Sequence, residues 1–556
     1  MYRMCMFTRI SRSGGRAYLQ LVEPYRNDNG EPRQRLVANL GRLDQLRPKD
    51  LDPLISGLQR ALGRTPAALP QVEFVGAKAM GDVYALHALW RELGLDGAVS
   101  RAMRSSYRRF DATAMVRAMV FNRLCEPESK LGVLRWLDTV AIPEQPEHVS
   151  HDHLLRAMDA LMDRASAVED AVAKQLRPLL DDEMSVVFYD LTTVRISGTG
   201  AVANDVRAHG MNKETGGIAR QFVLGVIQTR EGLPIAHQVH AGNIGEVTTL
   251  LPMIEATVKR YRLKRVILIA DRGLLSLDNL VAVEGLKSAS GEPIEYVLAV
   301  PGRRYGEFAE LVGSVSFADG VGETRWAERR LVLAHDAARA QEQRLAREAA
   351  MAALEAEGDR LATRLDAQDE GQPQRGRRSS DRRAYLKFSE LVKAARLSRI
   401  VKADLQAERF SYSIDGAAKQ AAETLDGKLL LVTNTDLPAA SVIERYKALA
   451  DIERGFRVLK SDIEIAPVHH RLPERIRAHA LICFLALLLH RVLRMRLKAT
   501  ASPLSPQRAL ALLRQIQQLH VTVDQQPTTS TSQISPEQRG ILQQLKLPLP
   551  EINASL

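Results

Sequence analysis

Residues 186–190 have the sequence Val-Val-Phe-Tyr-Asp, in which a short apolar run ends in a carboxylate. A second run of the same kind, Val-Ile-Leu-Ile-Ala at 266–270, is followed directly by Asp271. Short β-branched runs bounded by polar residues are typical of buried strands. Because ligands bind at the strand ends of open α/β sheets, Asp190 and Asp271 are both predicted to lie at the rim of one sheet.

The pattern from 183 to 300 predicts how these two strands are arranged. After the Asp190 strand it predicts two further strands, a helix, the Asp271 strand, a helix and a last strand, at 221–229, 235–240, 247–261, 266–270, about 277–286 and 296–300. This order, β-β-β-α-β-α-β, matches that of a ribonuclease-H-like fold. The first and fourth strands are neighbours in that fold, so the two aspartates are expected to meet.

A third carboxylate, Glu453, lies on a predicted helix over 446–460. Seven residues make about two helical turns, so Tyr446, Glu453 and Lys460 are predicted to share one face. Arg457 lies one turn beyond Glu453. A separate apolar stripe is predicted to face the sheet, formed by Leu449, Ile452, Phe456 and Leu459. Alone, this segment favours an ordinary amphipathic surface helix with a Glu453–Arg457 pair; together with the two aspartates it favours a site.

Three converging carboxylates have a definite chemical meaning. They repel one another unless a cation lies between them, and Mg²⁺ prefers oxygen ligands. Two such ions can activate an attacking oxygen and stabilise a leaving one in phosphoryl transfer. The pattern therefore leads to the hypothesis of a two-metal phosphoryl-transfer site.

Composition narrows the class of protein and its partners. The 77 basic and 66 acidic residues give a net charge of 77 − 66 = +11, which suits a polyanionic partner. The three cysteines are far apart and form no CxxC, which disfavours a disulfide scaffold or zinc site and favours a reducing cytoplasm. The most apolar stretch, 478–489, is too short to span a bilayer and predicts a buried helix, so no membrane association is expected.

The 556 residues predict several domains. An insertion is expected between the last core strand and the Glu453 helix, with strands at 315–317, 325–326, 331–334, 410–414 and 429–432 and a helix at 336–365. The Thr- and Ser-containing segment 524–533 is expected to be mobile. The expected segments are a small β-rich unit at 1–45, a helical DNA-end-binding domain at 46–182, the first part of the catalytic core at 183–300, an α+β insertion domain at 301–440, the Glu-bearing and following apolar helices at 441–500, and a C-terminal helical segment with a flexible tail at 501–556.

The three carboxylate motifs resemble those of DDE transposases, and the 446–460 helix resembles the third motif of that family. Further stretches make the chain similar to the insertion-sequence-four superfamily, with the sixteen-thirty-four type as the closest subgroup. These stretches are 18–23, 39–43, 230–234, 242–243, 456–461 and 475–479. The chain departs from the third motif at Leu449, where the family has an arginine, and Arg454 or Arg457 is the candidate replacement.

This resemblance implies a ribonuclease-H-like catalytic core and two Mg²⁺ or Mn²⁺ ions per active site. Asp190 would be the central ligand, completed by Asp271 and Glu453. It also implies terminal inverted repeats and target DNA as partners and a homodimeric synaptic complex, with the protein cytoplasmic and associated with the nucleoid when bound to DNA. The DNA contacts expected from these motifs come from Tyr446, Arg457, Lys460, Arg272 and Arg454. Two other interpretations stay open: a catalytically silent DNA-binding relative, and a structure-specific nuclease on the same fold.

Overall fold

The computed structural model describes residues 5–63, 72–104, 109–180, 185–198, 205–212, 216–244, 246–270, 280–372, 378–449 and 457–550. Four of the candidate site residues therefore lie outside the described residues: Asp271, Arg272, Glu453 and Arg454. By its contacts the chain divides into one unit of residues 1–75 and 520–528 and a second, larger unit of 76–519 and 529–555.

Seventeen strands lie in the part of the chain that the structure describes. They are β1 (Phe7–Ser13), β2 (Arg16–Arg26), β3 (Pro32–Arg42), β4 (Val72–Ala79), β5 (Ser185–Arg195), β6 (Ala208–Met211), β7 (Ile218–Thr229), β8 (Pro234–Ala241), β9 (Val266–Ala270), β10 (Glu295–Ala299), β11 (Val321–Trp326), β12 (Arg329–His335), β13 (Val401–Asp404), β14 (Ser411–Ile414), β15 (Lys428–Thr433), β16 (Gln517–Val523) and β17 (Gln526–Thr531).

The α-helices with defined ends in the described ranges are α1 (Pro48–Ala61), α2 (Gly81–Glu92), α3 (Leu95–Ala102), α4 (Ala112–Cys125), α5 (Lys130–Thr139), α6 (His151–Asp163), α7 (Ala165–Leu176), α8 (Glu246–Tyr261), α9 (Leu280–Glu284), α10 (Ala309–Gly313), α11 (Ala337–Asp369), α12 (Asp381–Ala394), α13 (Gly416–Leu425), α14 (Ala439–Lys447), α15 (Pro473–Ala499), α16 (Pro506–Leu513) and α17 (Pro536–Gln544). Residues 457–461 are also helical.

The smaller unit contains an antiparallel meander of β1, β2 and β3, followed by α1. All three strands lie within the segment 1–45, for which a small β-rich unit was expected.

A mixed sheet is the centre of the larger unit. Its order is β11-β12-β15-β10-β9-β5-β7-β6, and β8 also pairs with β7. β9 runs parallel to both β5 and β10, whereas β7 is antiparallel to both β5 and β8. The α/β class with a mixed sheet flanked by helices is confirmed, and so is the expected neighbourhood of the 186–190 and 266–270 strands.

The insertion between β10 and α14 extends this sheet. β15 pairs with β10, β12 with β15, and β11 with β12, all antiparallel. Residues 337–425 add α11, α12 and the β13–β14 pair around an apolar cluster of their own. The strand predicted at 315–317 is wrong. Val315 and Phe317 are apolar because they pack against the core from the connection between α10 and β11, which begins only at Val321.

The predicted apolar helix is much longer than expected. α15 has 27 residues and is the one helix in the described ranges that is long and apolar enough to cross a membrane. It packs against α4, α6 and β8, and 94% of its most apolar window is buried inside the protein. The expectation that this segment is too short to span a bilayer was wrong, because the helix extends beyond 478–489 and includes flanking residues such as Arg475 and Arg496. The prediction of a buried core helix is confirmed.

The C-terminal region is more ordered than its composition predicted. β17 lies within 524–533 and pairs with β16, and β4 pairs on the other side of β16. The expectation of a mobile segment there was wrong, because threonines that suggest a disordered tail also have a high β propensity once a partner strand is available.

Candidate active site

Asp190 lies within a strand and not at its end. The parallel pairing of β5 with β9 ends where Tyr189 meets Ala270, so Asp190 is the next residue beyond it. β5 nevertheless continues to Arg195, because β7 pairs with its other edge as far as Gln221. The predicted position of Asp190 at the strand end is therefore wrong, because β5 continues for five residues beyond it.

The side chain of Asp190 is half-buried and oriented by its own backbone. Its Oδ1 accepts a hydrogen bond from the Leu191 N–H at 2.7 Å. Phe188, two residues earlier, belongs to a small apolar cluster with Ile267 and Ile269 of β9. Side chains two apart on a strand share a face, so Asp190 lies on the face of the sheet that this cluster covers.

Tyr189 faces the opposite way and anchors the strand. It is fully buried in the larger core, and its hydroxyl is 2.7 Å from Thr249 Oγ1 of α8. Sequence reasoning did not single out Thr249, because a threonine on a helix carries no signal of a hydrogen bond to a residue sixty positions away. This hydrogen bond holds β5 in place against α8, and it therefore also holds the neighbouring Asp190 in place.

α14 brings Tyr446 to the face of the sheet that carries Asp190. Val442 and Ile443 of this helix are buried in the same small cluster as Phe188, and Tyr446 packs against it. Leu449, just beyond the helix, is 4% exposed in that cluster. The position where DDE transposases have an arginine is therefore part of the apolar core in this chain.

The second helical piece, 457–461, carries the remaining described candidates. Arg457 is exposed and Lys460 is half-buried. Leu459 is buried in the larger core cluster, whereas Leu449 is buried in the small one. The prediction of a single apolar stripe facing one core is therefore wrong for these two leucines, because they pack in different clusters. Ile452 and Phe456 of that stripe lie outside the described residues.

The described residues contain one member of the predicted carboxylate triad. Within those ranges no group of three or more His, Cys, Asp or Glu side chains is arranged to hold a metal ion. The proposed set of two aspartates and a glutamate offers only oxygen donors, which fits Mg²⁺ or Mn²⁺ and not a thiophilic metal.

Replacing Tyr189 with phenylalanine is expected to lower the free energy of unfolding by about 1 kcal/mol, because the hydrogen bond between the two buried hydroxyls is lost. Chemical denaturation of the wild type and Tyr189→Phe measures this. Tyr25→Phe, which changes an exposed tyrosine, is the matched control. Equal stabilities for wild type and Tyr189→Phe would show that the hydroxyl contact does not hold β5.

Comparison with known proteins identifies the class. Residues 181–489 match the family model described as "Transposase DDE domain", and residues 7–70 match "IS1634 family transposase, N-terminal domain". A solved structure, the Drosophila P element transposase strand transfer complex, is 12% identical over 75% of this chain and 88% of that chain. Its TM-score of 0.20 is too low to support an argument. No curated protein matches the chain significantly.

Because the first match covers more than half of its length, the chain belongs to the DDE transposases, the class of DNA-cleaving enzymes that carry out DNA transposition. The match of its N-terminal residues defines the group more closely: it is an insertion-sequence transposase of the IS1634 group.

Proposed function

We propose that this transposase binds the terminal inverted repeats of its insertion sequence and moves the element by cut-and-paste transposition. The observation that supports this most directly is the parallel pairing of Tyr189 with Ala270. It brings the strand of Asp190 next to the strand that Asp271 follows. Neighbouring strands are about 4.8 Å apart, a spacing at which two carboxylates can share a cation.

The catalytic core of this proposal is ribonuclease-H-like. Five strands of the sheet support it: their order is β8-β7-β5-β9-β10, with the first three antiparallel and the last three parallel. The first and fourth of these strands in the chain, β5 and β9, are the neighbours at its centre. The insertion then follows the last core strand, as the resemblance implies.

Asp190, Asp271 and Glu453 are the proposed ligands of two divalent ions, Mg²⁺ or Mn²⁺. Glu453 is four residues beyond Leu449, which packs with Phe188 on the Asp190 face. Four residues of chain span at most about 14 Å, so the chain connection is compatible with Glu453 as a ligand on that face. When bound, the ions would lower the pKa of an attacking water and neutralise charge on the phosphate.

The remaining work falls to this chain's cations and its tyrosine. Arg457, Lys460 and Arg272 are proposed to bind phosphates of the transposon end, and Tyr446 to orient a phosphate oxygen. Because Leu449 is buried, the contact that an arginine makes there in the family would come from Arg454 or Arg457. Each of these groups positions the DNA strand so that the scissile phosphate faces Asp190.

A homodimer holding two transposon ends is the proposed working assembly, because strand joining requires both ends in one complex. The net charge of +11 supports association with DNA, and the proposed location is the cytoplasm, at the nucleoid when DNA is bound.

A strand-transfer assay tests the function. Labelled duplexes that carry the element's inverted repeat are incubated with the transposase, target DNA and Mg²⁺. We expect labelled ends joined to target with Mg²⁺ or Mn²⁺, and no nicking or joining above background when EDTA is present. Nicking without joining would favour a structure-specific nuclease, and a mobility shift without nicking would favour a silent DNA-binding relative; either result contradicts the proposal.

A further inference from the structure

A cavity of about 590 Å³ does not include Asp190 in its lining, and we call it the Lys130 cavity. Its walls are the end of α4, the start of α5, residues 464–472 and the first turns of α15. Its volume falls within the range of pockets that bind small molecules or single nucleotides. The residues that line it suggest which chemistry it accepts.

Lys130 is the most unusual of the lining residues. Only 7% of it is exposed, and among the residues that the structure describes its ammonium group has no hydrogen-bond or ion-pair partner. Burial lowers its pKa to about 7, and the neighbouring Arg123 contributes to the shift. An uncompensated cation inside a protein is costly, so a bound anion at this position would relieve both burial and repulsion.

Arg123 adds a second positive charge beside Lys130. It is buried and donates to the carbonyls of Ile463, Glu464 and Glu128. Burial holds the pKa of His479 well below its usual range, so its imidazole is neutral and donates from Nε2 to the Ile465 carbonyl at 3.1 Å. The Lys130 ammonium is therefore a donor available to an anion's oxygens.

The N-terminal ends of helices add to the positive electrostatic potential inside the Lys130 cavity. Residues at the N-terminal ends of α5, α6 and α15 all line the cavity. The N-terminus of a helix carries a partial positive charge and free N–H groups. α15 has Leu472 at its N-cap, which provides no side-chain acceptor. The first turns of α5 and α6 are already capped, because the Ser129 and Ser150 hydroxyls accept the Gly132 and His153 N–H groups. The uncapped end of α15 is the one that favours a phosphate-like group.

Two carboxylates also line the cavity, Glu128 and Glu464, and neither forms a described ion pair with Lys130. Arg475 is at the rim but is paired with Asp159 at 2.7 Å, so it is not counted as a donor to a ligand.

The cavity is connected to the candidate active site through β5. Just beyond that strand, Ile196 pairs with Val468 in the cavity wall, and the Ser197 N–H donates to the Val468 carbonyl at 2.9 Å. Asp190 and Ile196 are six positions apart along extended chain, a distance of about 20 Å. This distance corresponds to a few nucleotides of DNA, so one bound DNA can reach both places.

We propose that the Lys130 cavity binds a backbone phosphate of the DNA whose end lies at Asp190, with the Lys130 ammonium as its donor and the Arg123 charge adding to the positive potential. This proposal rests on the proposed function, because it takes the ligand to be the transposon end. A free phosphate compound has the same chemistry and is separated from DNA by the experiment below.

The test compares Lys130→Met with the wild type in binding the inverted-repeat duplex, measured by fluorescence anisotropy at several salt concentrations. We expect Kd to rise about ten-fold, and the slope of log K against log salt to fall by about one, the value for one phosphate contact. Lys174→Met, which changes an exposed lysine of α7, should leave both unchanged. Because Lys130→Met removes an unpaired buried charge, its melting temperature should not decrease, so a folding defect is recognised separately.

Methylphosphonate substitution of the duplex, one position at a time, locates the contact. One methylphosphonate position should weaken DNA binding by the wild type and have no effect on DNA binding by Lys130→Met. Identical methylphosphonate profiles, or an unchanged Kd and salt slope, would overturn the proposal. Thermal stabilisation of the wild type by inorganic phosphate or a mononucleotide, together with unchanged DNA binding by Lys130→Met, would overturn it in favour of a free phosphate compound.

The Lys130→Met experiment measures DNA binding, so its result does not depend on whether the transposase cleaves DNA. Cleavage that persists in Asp190→Asn would refute the proposed active site and leave the Lys130 comparison valid. Loss of cleavage in Asp190→Asn with no change in Lys130→Met would refute only the cavity assignment.

Discussion

Asp190→Asn is expected to reduce metal-dependent cleavage of transposon ends by roughly 1,000-fold or more, with little change in DNA affinity. The amide keeps the shape of the carboxylate, and its oxygen can still accept the Leu191 N–H that orients Asp190. What it loses is the negative charge that the proposed ions require. The measurement is the single-turnover rate of strand nicking with Mg²⁺, alongside Kd for the same duplex.

Asp138→Asn is the matched control for this substitution. Asp138 is exposed on α5, so the same chemical change there should leave the nicking rate unaltered. Melting temperatures of both variants show whether the fold is intact. Cleavage at the wild-type rate by folded Asp190→Asn would remove this residue from the mechanism.

Asp190→Cys separates charge from metal affinity. A thiolate is a softer ligand than a carboxylate and binds Mn²⁺ relatively better than Mg²⁺. We expect this variant to be inactive with Mg²⁺ and to regain measurable nicking with Mn²⁺. Equal inactivity with both ions, in a folded protein that binds DNA, would argue against direct coordination by residue 190.

The strands that carry the site could be predicted because their signals are local. β9 has the predicted bounds of 266–270, and α8 begins within one residue of its prediction, since β-branched runs and a 3.6-residue period are properties of short windows. The position of Asp190 within β5 was not predictable in the same way. Continuation to Arg195 depends on pairing with Gln221, a contact that no window around Asp190 contains.

The same limit explains the third motif and the cavity. The spacing of Tyr446 and Lys460 suggested a helix face, but which core cluster receives Leu449 and which receives Leu459 depends on the tertiary packing. Lys130 follows Ser129 at the start of an ordinary helix, and an exposed lysine is the default expectation. Its burial comes from residues 464–479, more than 300 positions away, so the sequence around it gave no warning.

The interaction among the three carboxylates gives the most demanding test of the proposed site. Asp271→Asn and Glu453→Gln are each expected to reduce nicking as strongly as Asp190→Asn, by roughly 1,000-fold. If the three carboxylates hold the same pair of ions, the loss of any one carboxylate already disables the site. Double variants that combine Asp190→Asn with either of the others should therefore be slower than the worst single variant by no more than about three-fold.

Independent contributions would give a different result, because two separate losses multiply to roughly a million-fold. The measurement is the nicking rate of the three single and two double variants at saturating Mg²⁺, with Glu342→Gln on the exposed face of α11 as the matched control for the glutamate. Multiplicative losses, or a Glu453→Gln variant as active as Glu342→Gln, would contradict a shared site. Residue 453 follows Leu449, which packs beside Phe188, and residue 271 follows Ala270, which pairs with Tyr189. Leu449 and Ala270 therefore both contact β5 close to Asp190. For this reason we expect the three substitutions to abolish the same nicking activity.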